Sequence, residues 1–185
     1  YKMATIINRV EALGKEYMKL SGERPSIALT KIESTSVSLN AIPQSCSIYI
    51  DRRMTLEENE ETVGEEMNKL IEGTDATWEI YDAIGTSWRG EKIVLHSFLP
   101  AWEIKVDHKL TKGCIKAYEE LMGEKPTMYK WDFSTNGVAS AGKLGIPTIG
   151  FGAGIEKMAH MTNEYCPVSD IIAACKFYSL LPYFL

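Results

Sequence analysis

The stretch Cys46-Ser47-Ile48-Tyr49-Ile50-Asp51-Arg52-Arg53, with Ser26-Ile27-Ala28-Leu29-Thr30-Lys31 before it, decides the fold. Ser26 to Lys31 and Cys46 to Asp51 alternate with the period of two that a half-buried strand requires, and Cys46, Ile48 and Ile50 share one face. They predict two strands in antiparallel pairing. Upstream, Met3, Ile6, Ile7, Val10, Leu13, Tyr17 and Leu20 recur at helical spacing, which predicts a helix ending near Ser21-Gly22. Downstream, Thr55 with Glu58 three residues on has the form of a capping box, opening a helix with Val63, Met67, Leu70 and Ile71 on its apolar side. Glu57, Glu58, Glu60 and Glu61 favour its first turn through the helix dipole, and Glu65-Glu66 are expected on its solvated face. Thr77 to Asp82 predicts another strand. The order α-β-β-α-β is that of a βαββαβ unit without its first strand.

After Arg89-Gly90 the pattern changes to strand and helix in alternation. A strand through Ile93-Val94-Leu95, a helix from about Leu110 to Met122 stopped by Gly123, and a strand Thr127–Trp131 come first. A short helix Gly137–Lys143 stopped by Gly145, a strand Ile146–Phe151, a Gly-rich loop and a last helix from Ser169 to about Leu180 complete it. Such alternation predicts parallel strands covered by helices.

The 185 residues, 45% of them hydrophobic and 24% charged, have the composition of a packed globular protein. A balance of 20 Lys and Arg against 25 Asp and Glu, net -5, argues against a dedicated nucleic-acid binder. No apolar run reaches the roughly 20 residues that cross a bilayer, so no membrane partner is expected and a cytoplasmic location is. Cys46, Cys114, Cys166 and Cys175 form no C-x-x-C pair and predict reduced, mostly buried thiols.

Three segments carry possible chemistry. Asn40-Ala41-Ile42-Pro43 precedes the strand that ends in Arg52-Arg53, and a guanidinium fork suits bidentate carboxylate binding, although turn residues and charges at a strand exit are also ordinary. Gly150-Phe151-Gly152-Ala153-Gly154 lacks phosphate-loop spacing but lets backbone N–H groups approach an anion. His160, in the loop Ala159-His160-Met161-Thr162-Asn163-Glu164-Tyr165, is equally a metal ligand, an acid/base or a satisfied loop histidine. Ser134, Thr135 and Asn136, in the junction Trp131–Gly137, are candidate helix caps, and His96 and His108 are expected at the surface or in packing roles. H-E-x-x-H, H-x-D and G-x-S-x-G motifs are absent, which removes helical zinc-protease and serine-hydrolase chemistry of those types.

In combination, N-A-I-P at 40–43, D-R-R at 51–53, S-T-N-G at 134–137, G-I-P-T-I-G-F-G-A-G at 145–154 and A-H-M-T-N-E-Y at 159–165 resemble the carboxy-terminal half of one family. That family is the zinc-dependent exopeptidases and deacylases, which includes acetylornithine deacetylase, succinyl-diaminopimelate desuccinylase, aminoacylase, allantoate amidohydrolase and glutamate carboxypeptidase. The phrases F-L-P-A-W, S-T-N-G and A-H-M-T-N-E-Y resemble most a branch of hydrolases linked to selenium metabolism.

The resemblance implies an α/β fold with an α+β lid. Residues 1–98 would be a ferredoxin-like dimerisation lid lacking its first strand, and 99–185 the last portion of the catalytic domain. It implies that His160 ligates one zinc of a two-metal site, with cobalt or manganese acceptable in place of zinc. Arg53 and Asn40 would bind the substrate's carboxylate or the developing oxyanion, and the loop around Gly152 and Gly154 would hold that carboxylate by backbone N–H groups. Asn136 departs from the aspartate that many relatives carry. Substrates would be small carboxylate-bearing amides, the protein a homodimer through the lid, and the general base would lie upstream of this chain. The 185 residues alone are therefore expected to bind catalytic zinc poorly and to be inactive. The alternative is a non-catalytic dimerisation or anion-binding module of the same fold.

Overall fold

A computed structural model describes residues 1–131 and 133–185, and these divide into two compact units, Tyr1–Ala101 and Trp102–Leu185.

In the first unit, α1 (Lys2–Tyr17) buries Ile6 and Val10 from its predicted stripe. It stops at Tyr17, short of Leu20, where Lys19 and Leu20 N–H turn to the Glu16 and Tyr17 carbonyls and Arg24 Nη1 donates to the Met18 carbonyl at 3.0 Å. β1 (Ser26–Ser34) and β2 (Cys46–Arg53) pair antiparallel as expected, with Ile27 opposite Arg52, Leu29 opposite Ile50 and Ile32 opposite Ile48. A bulge between Leu29 and Lys31 shifts the register. Ile6, Val10, Ile27 and Leu70 form the core, flanked by Ile48, Ile50 and Met67.

The second helix, α2 (Glu60–Ile71), begins later than the Thr55-Glu58 pattern predicts. Its cap is Asn59, whose Oδ1 accepts from Thr62 N–H at 2.9 Å while Thr62 Oγ1 accepts from Asn59 N–H at 3.0 Å. Thr55 and Glu58 do bond, Thr55 N–H donating to Glu58 Oε2 at 2.6 Å, but the Glu58 carboxylate also binds Arg52. The pair therefore makes a turn ahead of the helix. At the other end of α2, Arg9 Nη1 donates to the carbonyls of Leu70 and Glu72, each at 2.8 Å, and supplies donors that the helix lacks there.

The strand expected at 77–82 is displaced. Only Asp82 of that stretch belongs to a ladder, in β3 (Asp82–Thr86), which forms a hairpin with β4 (Lys92–His96). His96 Nδ1 lies 2.7 Å from Asp82 Oδ1 across that hairpin. Among the described residues the sheets are two separate two-stranded ones, β1-β2 and β3-β4.

In the second unit, α3 (Lys109–Met122) is capped by His108, whose Nδ1 accepts from Leu110 N–H at 3.1 Å. It ends on Gly123 at φ 75°, a left-handed cap that a β-carbon would strain. α4 (Val168–Leu180) follows the prediction. Cys114, Ala117 and Phe177 make the core, with Leu110, Tyr118, Ile149 and Phe151 against it. Val138–Lys143 is helical as expected but wound as a π-helix, and Gly137 lies against the Trp102 ring so closely that a β-carbon there would come within 2.0 Å of Cζ2.

The strands expected at 127–131 and 146–151 join no ladder among the described residues. Parallel strands take their hydrogen bonds from neighbours remote in sequence, and these two segments are not paired with each other. The four cysteines are unpaired thiols, yet only Cys114 is buried; Cys46 is half-buried, and Cys166 and Cys175 are exposed, which corrects the expectation of mostly buried thiols. No helix among the described residues is long and apolar enough to cross a membrane.

Candidate functional site

The two arginines that close β2 have opposite fates, because successive side chains on a strand point to opposite faces. Arg53 is outward, its side chain 62% exposed and its Nε 3.3 Å from Asp51 Oδ2. Arg52 is inward and 7% exposed. Its Nε donates to Glu66 Oε1 at 2.8 Å and its Nη2 to Glu66 Oε2 at 3.2 Å and Tyr17 Oη at 2.9 Å. Arg52 Nη2 also pairs with Glu58, and its guanidinium lies 4.9 Å from the Tyr17 ring centroid.

Burial opposes the charge on Arg52, but its hydrogen bonds to Glu66 and Glu58 outweigh that and raise its pKa further. For Glu58, burial pushes the carboxyl upward, yet bonds from Arg52 and from Thr55 win and hold it below the usual carboxylate range. Burial, and then a hydrogen bond to Glu66, push the Tyr17 hydroxyl well above its ordinary value.

The sequence reading placed Glu66 on a solvated helix face, and the structure corrects this: Glu66 is 21% exposed and bonded to Arg52 and Tyr17. Two signals could have found the cluster. Arg52 shares strand parity with Cys46, Ile48 and Ile50, and Glu66 stands at i+3 from Val63 and i−4 from Leu70, on the apolar side of its helix.

Asn40 is exposed in the loop that joins β1 to β2, where Ser36 Oγ donates to the Ser38 and Ala41 carbonyls. Arg53 closes the opposite end of the same hairpin, opposite Ser26. From the first to the last of the 8 residues of β2, at about 3.3 Å per step, the ends lie about 23 Å apart along the strand. One chain does not bring Asn40 and Arg53 together.

In the second unit Gly152 and Gly154 precede His160 by eight and six residues. Phe151 anchors the loop: its ring is 4.1 Å from that of Phe177 and 5.9 Å from that of Tyr118, and its carbonyl accepts from the Tyr178 hydroxyl. Beyond it the backbone is open, with nothing within 4 Å of a β-carbon built at Gly152 or Gly154. Gly154, at φ 118°, has a conformation that other residues rarely adopt.

His160 is exposed and held in the left-handed region at φ 62°, with Asn163 at φ 63°. Glu164 Oε2 accepts from the His160 backbone N–H at 3.0 Å and steadies the turn, and the imidazole lies 5.6 Å from the Phe133 ring. A histidine held in this sparsely populated conformation marks a constrained loop. In the junction 131–137, Thr135 Oγ1 accepts from Gly137 N–H at 3.1 Å, and Asp132 lies outside the described residues.

His160 has the chemistry of a zinc ligand, but among the described residues no three His, Cys, Asp or Glu side chains gather as a metal site. Among the described residues His160 is therefore not part of a cluster of three potential metal ligands.

The model of Peptidase family M20/M25/M40 matches residues 17–182. The uncharacterized protein YgeY of Escherichia coli K12 is 34% identical over 186 residues, covering 98% of this chain and 46% of that protein. Succinyl-diaminopimelate desuccinylase of Corynebacterium glutamicum is 27% identical over 183 residues, covering 96% of this chain and 44% of that protein. In fold the chain is similar to the M20 family metallo-carboxypeptidase Sso-CP2 of Sulfolobus solfataricus, with a TM-score of 0.58 at 19% identity over 96% of this chain and 44% of that one. The chain thus spans somewhat less than half the length of the curated relatives it matches.

Proposed function

Because this chain belongs to Peptidase family M20/M25/M40, we propose that it forms the substrate-carboxylate recognition part of a metal-dependent hydrolase that cleaves an amide bond in a small carboxylate-bearing molecule. The observation that carries this reading is one loop system. An open glycine backbone at 152–154, with Gly154 at φ 118°, is followed by an exposed His160 at φ 62°, whose backbone N–H donates to Glu164. Backbone N–H groups at such glycines suit an anion, and a neutral imidazole suits a divalent metal. A bound metal pair, zinc or in its place cobalt or manganese, would supply an activated water. In this reading His160 contributes one ligand, and the remaining ligands and the general base come from sequence outside these 185 residues.

Arg53 is assigned the substrate carboxylate and Asn40 a hydrogen bond to the carboxylate or to the developing oxyanion. With these two residues at opposite ends of one hairpin, both reach one substrate only if they come from two copies of the chain. A homodimer through a ferredoxin-like lid supplies that arrangement. Residues 77–81, outside any ladder among the described residues, are compatible with such a lid, since the last strand of a βαββαβ unit pairs with the first and not with its sequence neighbours. The named activities of two relatives, a desuccinylase and a metallo-carboxypeptidase, favour N-acyl amino acids and peptides as substrates.

The test uses the intact polypeptide that carries this chain. Arg53→Ala should lower kcat/KM for N-acyl amino acids or dipeptides by about 2–4 kcal/mol in transition-state terms. His160→Ala should remove bound metal measured by elemental analysis. Unchanged kinetics across the panel, together with unchanged metal content, would sink the reading.

A further inference from the structure

Arg52 has one hydrogen bond that its role as a tie between elements does not use. Nε and Nη2 reach Glu66 on α2, Tyr17 on α1 and Glu58 in the segment between β2 and α2. Nη1 turns back along its own strand and donates to the Arg53 backbone carbonyl at 2.6 Å. That bond joins no two elements; its effect is confined to the residue next door. Glu58 completes the hold by accepting from Thr55 N–H at 2.6 Å and from Thr55 Oγ1 at 3.1 Å. The chain leaving Arg53 is therefore fixed at its own carbonyl and at the amide two residues on, both through one Arg52-Glu58 pair.

We infer that Arg52 and Glu58 are a positioning pair that sets the direction in which Arg53 leaves the sheet, and so the selectivity of the site for a carboxylate over a neutral group. The inference rests on the assignment of Arg53 to the substrate carboxylate. A purely packing role would be served as well by apolar side chains, since a guanidinium sunk between two carboxylates is a weak source of stability. Lysine cannot take the place of Arg52. A single ammonium cannot meet Glu66 side-on and also reach back to the Arg53 carbonyl, whereas the planar fork of arginine does both.

The experiment compares kcat/KM for the best substrate in a panel of N-acyl amino acids and dipeptides with that for its α-carboxamide analogue, in the intact polypeptide. Arg53→Ala should lower the carboxylate-to-carboxamide ratio most, leaving only the part that the glycine loop supplies. Arg52→Lys and Glu58→Gln should each lower the ratio by about tenfold, through KM for the carboxylate, and leave the carboxamide within about twofold. The double variant Arg52→Lys/Arg53→Ala should fall no further than Arg53→Ala, since the pair acts only through Arg53. If Arg53→Ala lowers the ratio sharply but folded Arg52→Lys and Glu58→Gln keep it at the wild-type value while losing thermal stability, the pair is structural and the inference fails alone. If Arg53→Ala itself leaves the ratio unchanged, the carboxylate assignment fails and the positioning role falls with it. Glu58→Gln conserves size and decides the matter should Arg52→Lys not fold.

Discussion

β1 and β2 in the first unit and the segments 127–131 and 146–151 in the second have similar strand-forming patterns, yet only the former become a ladder. The difference lies in where each finds its hydrogen bonds. A hairpin closes on a partner 12 residues away in sequence, Ser34 on Cys46, so its backbone is satisfied locally. Parallel strands depend on neighbours brought in by the rest of a domain, and the second unit is instead held by the contact of α3 and α4 around Phe177 and Phe151. One unit is thus organised by a sheet with helices on it, the other by helices and an aromatic cluster.

The sharpest way to break this contrast is at Phe177, which is 2% exposed. Phe177→Ala should cost the second unit about 3–5 kcal/mol, read from amide exchange in α3 and α4, and a cost under about 1 kcal/mol would mean the aromatic cluster is not its core. Next in size is the exchange contrast in the 185-residue chain itself. Amides of β1 and β2 should exchange roughly a hundredfold more slowly than those of 146–151, the ratio given by about 3 kcal/mol of opening free energy. Slow exchange over 146–151 would reveal a ladder partner within the chain.

A smaller effect is expected on acidification. The carboxyl of Glu58 is held below its usual range when folded, so its contribution is complete above the unfolded-chain value of about 4.3 and is lost as pH falls through that value toward the folded one. Stability of the first unit should therefore decline below about pH 4. Glu58→Gln should be less stable at neutral pH and show a shallower acid slope; parallel curves for the two proteins would remove Glu58 from the account. Smallest is the start of α2. Asn59→Ala should cost about 1 kcal/mol in urea unfolding, and a greater cost for Thr55→Ala would restore the earlier start that the sequence pattern suggests.

Much of this architecture was legible because its causes are local. The stripe Ile6-Val10-Leu13, the alternation Cys46-Ile48-Ile50 and the Gly123 stop each depend on neighbours within a turn or two. The start of α2 was misjudged because Thr55 and Glu58 satisfy the local pattern while Arg52, from the preceding strand, competes for the same carboxylate. His160 stood out by residue type and by its polar loop, but its left-handed backbone did not, since that conformation is common for glycine and uncommon for histidine.

From the order of its motifs alone, the chain could be assigned to the family whose model matches residues 17–182, and Asn40, Arg53, Gly152, Gly154 and His160 could be named as candidate site residues. Tertiary structure decided what those positions have around them. Strand parity separates Arg52 from Arg53, but only the folded chain brings Tyr17 of α1, Glu66 of α2 and Glu58 of the segment between β2 and α2 onto Arg52, while the Arg53 side chain is 62% exposed. Side-chain alternation is a property of the strand, whereas the identity of the covered face, and of the groups that meet there, belongs to elements distant in sequence.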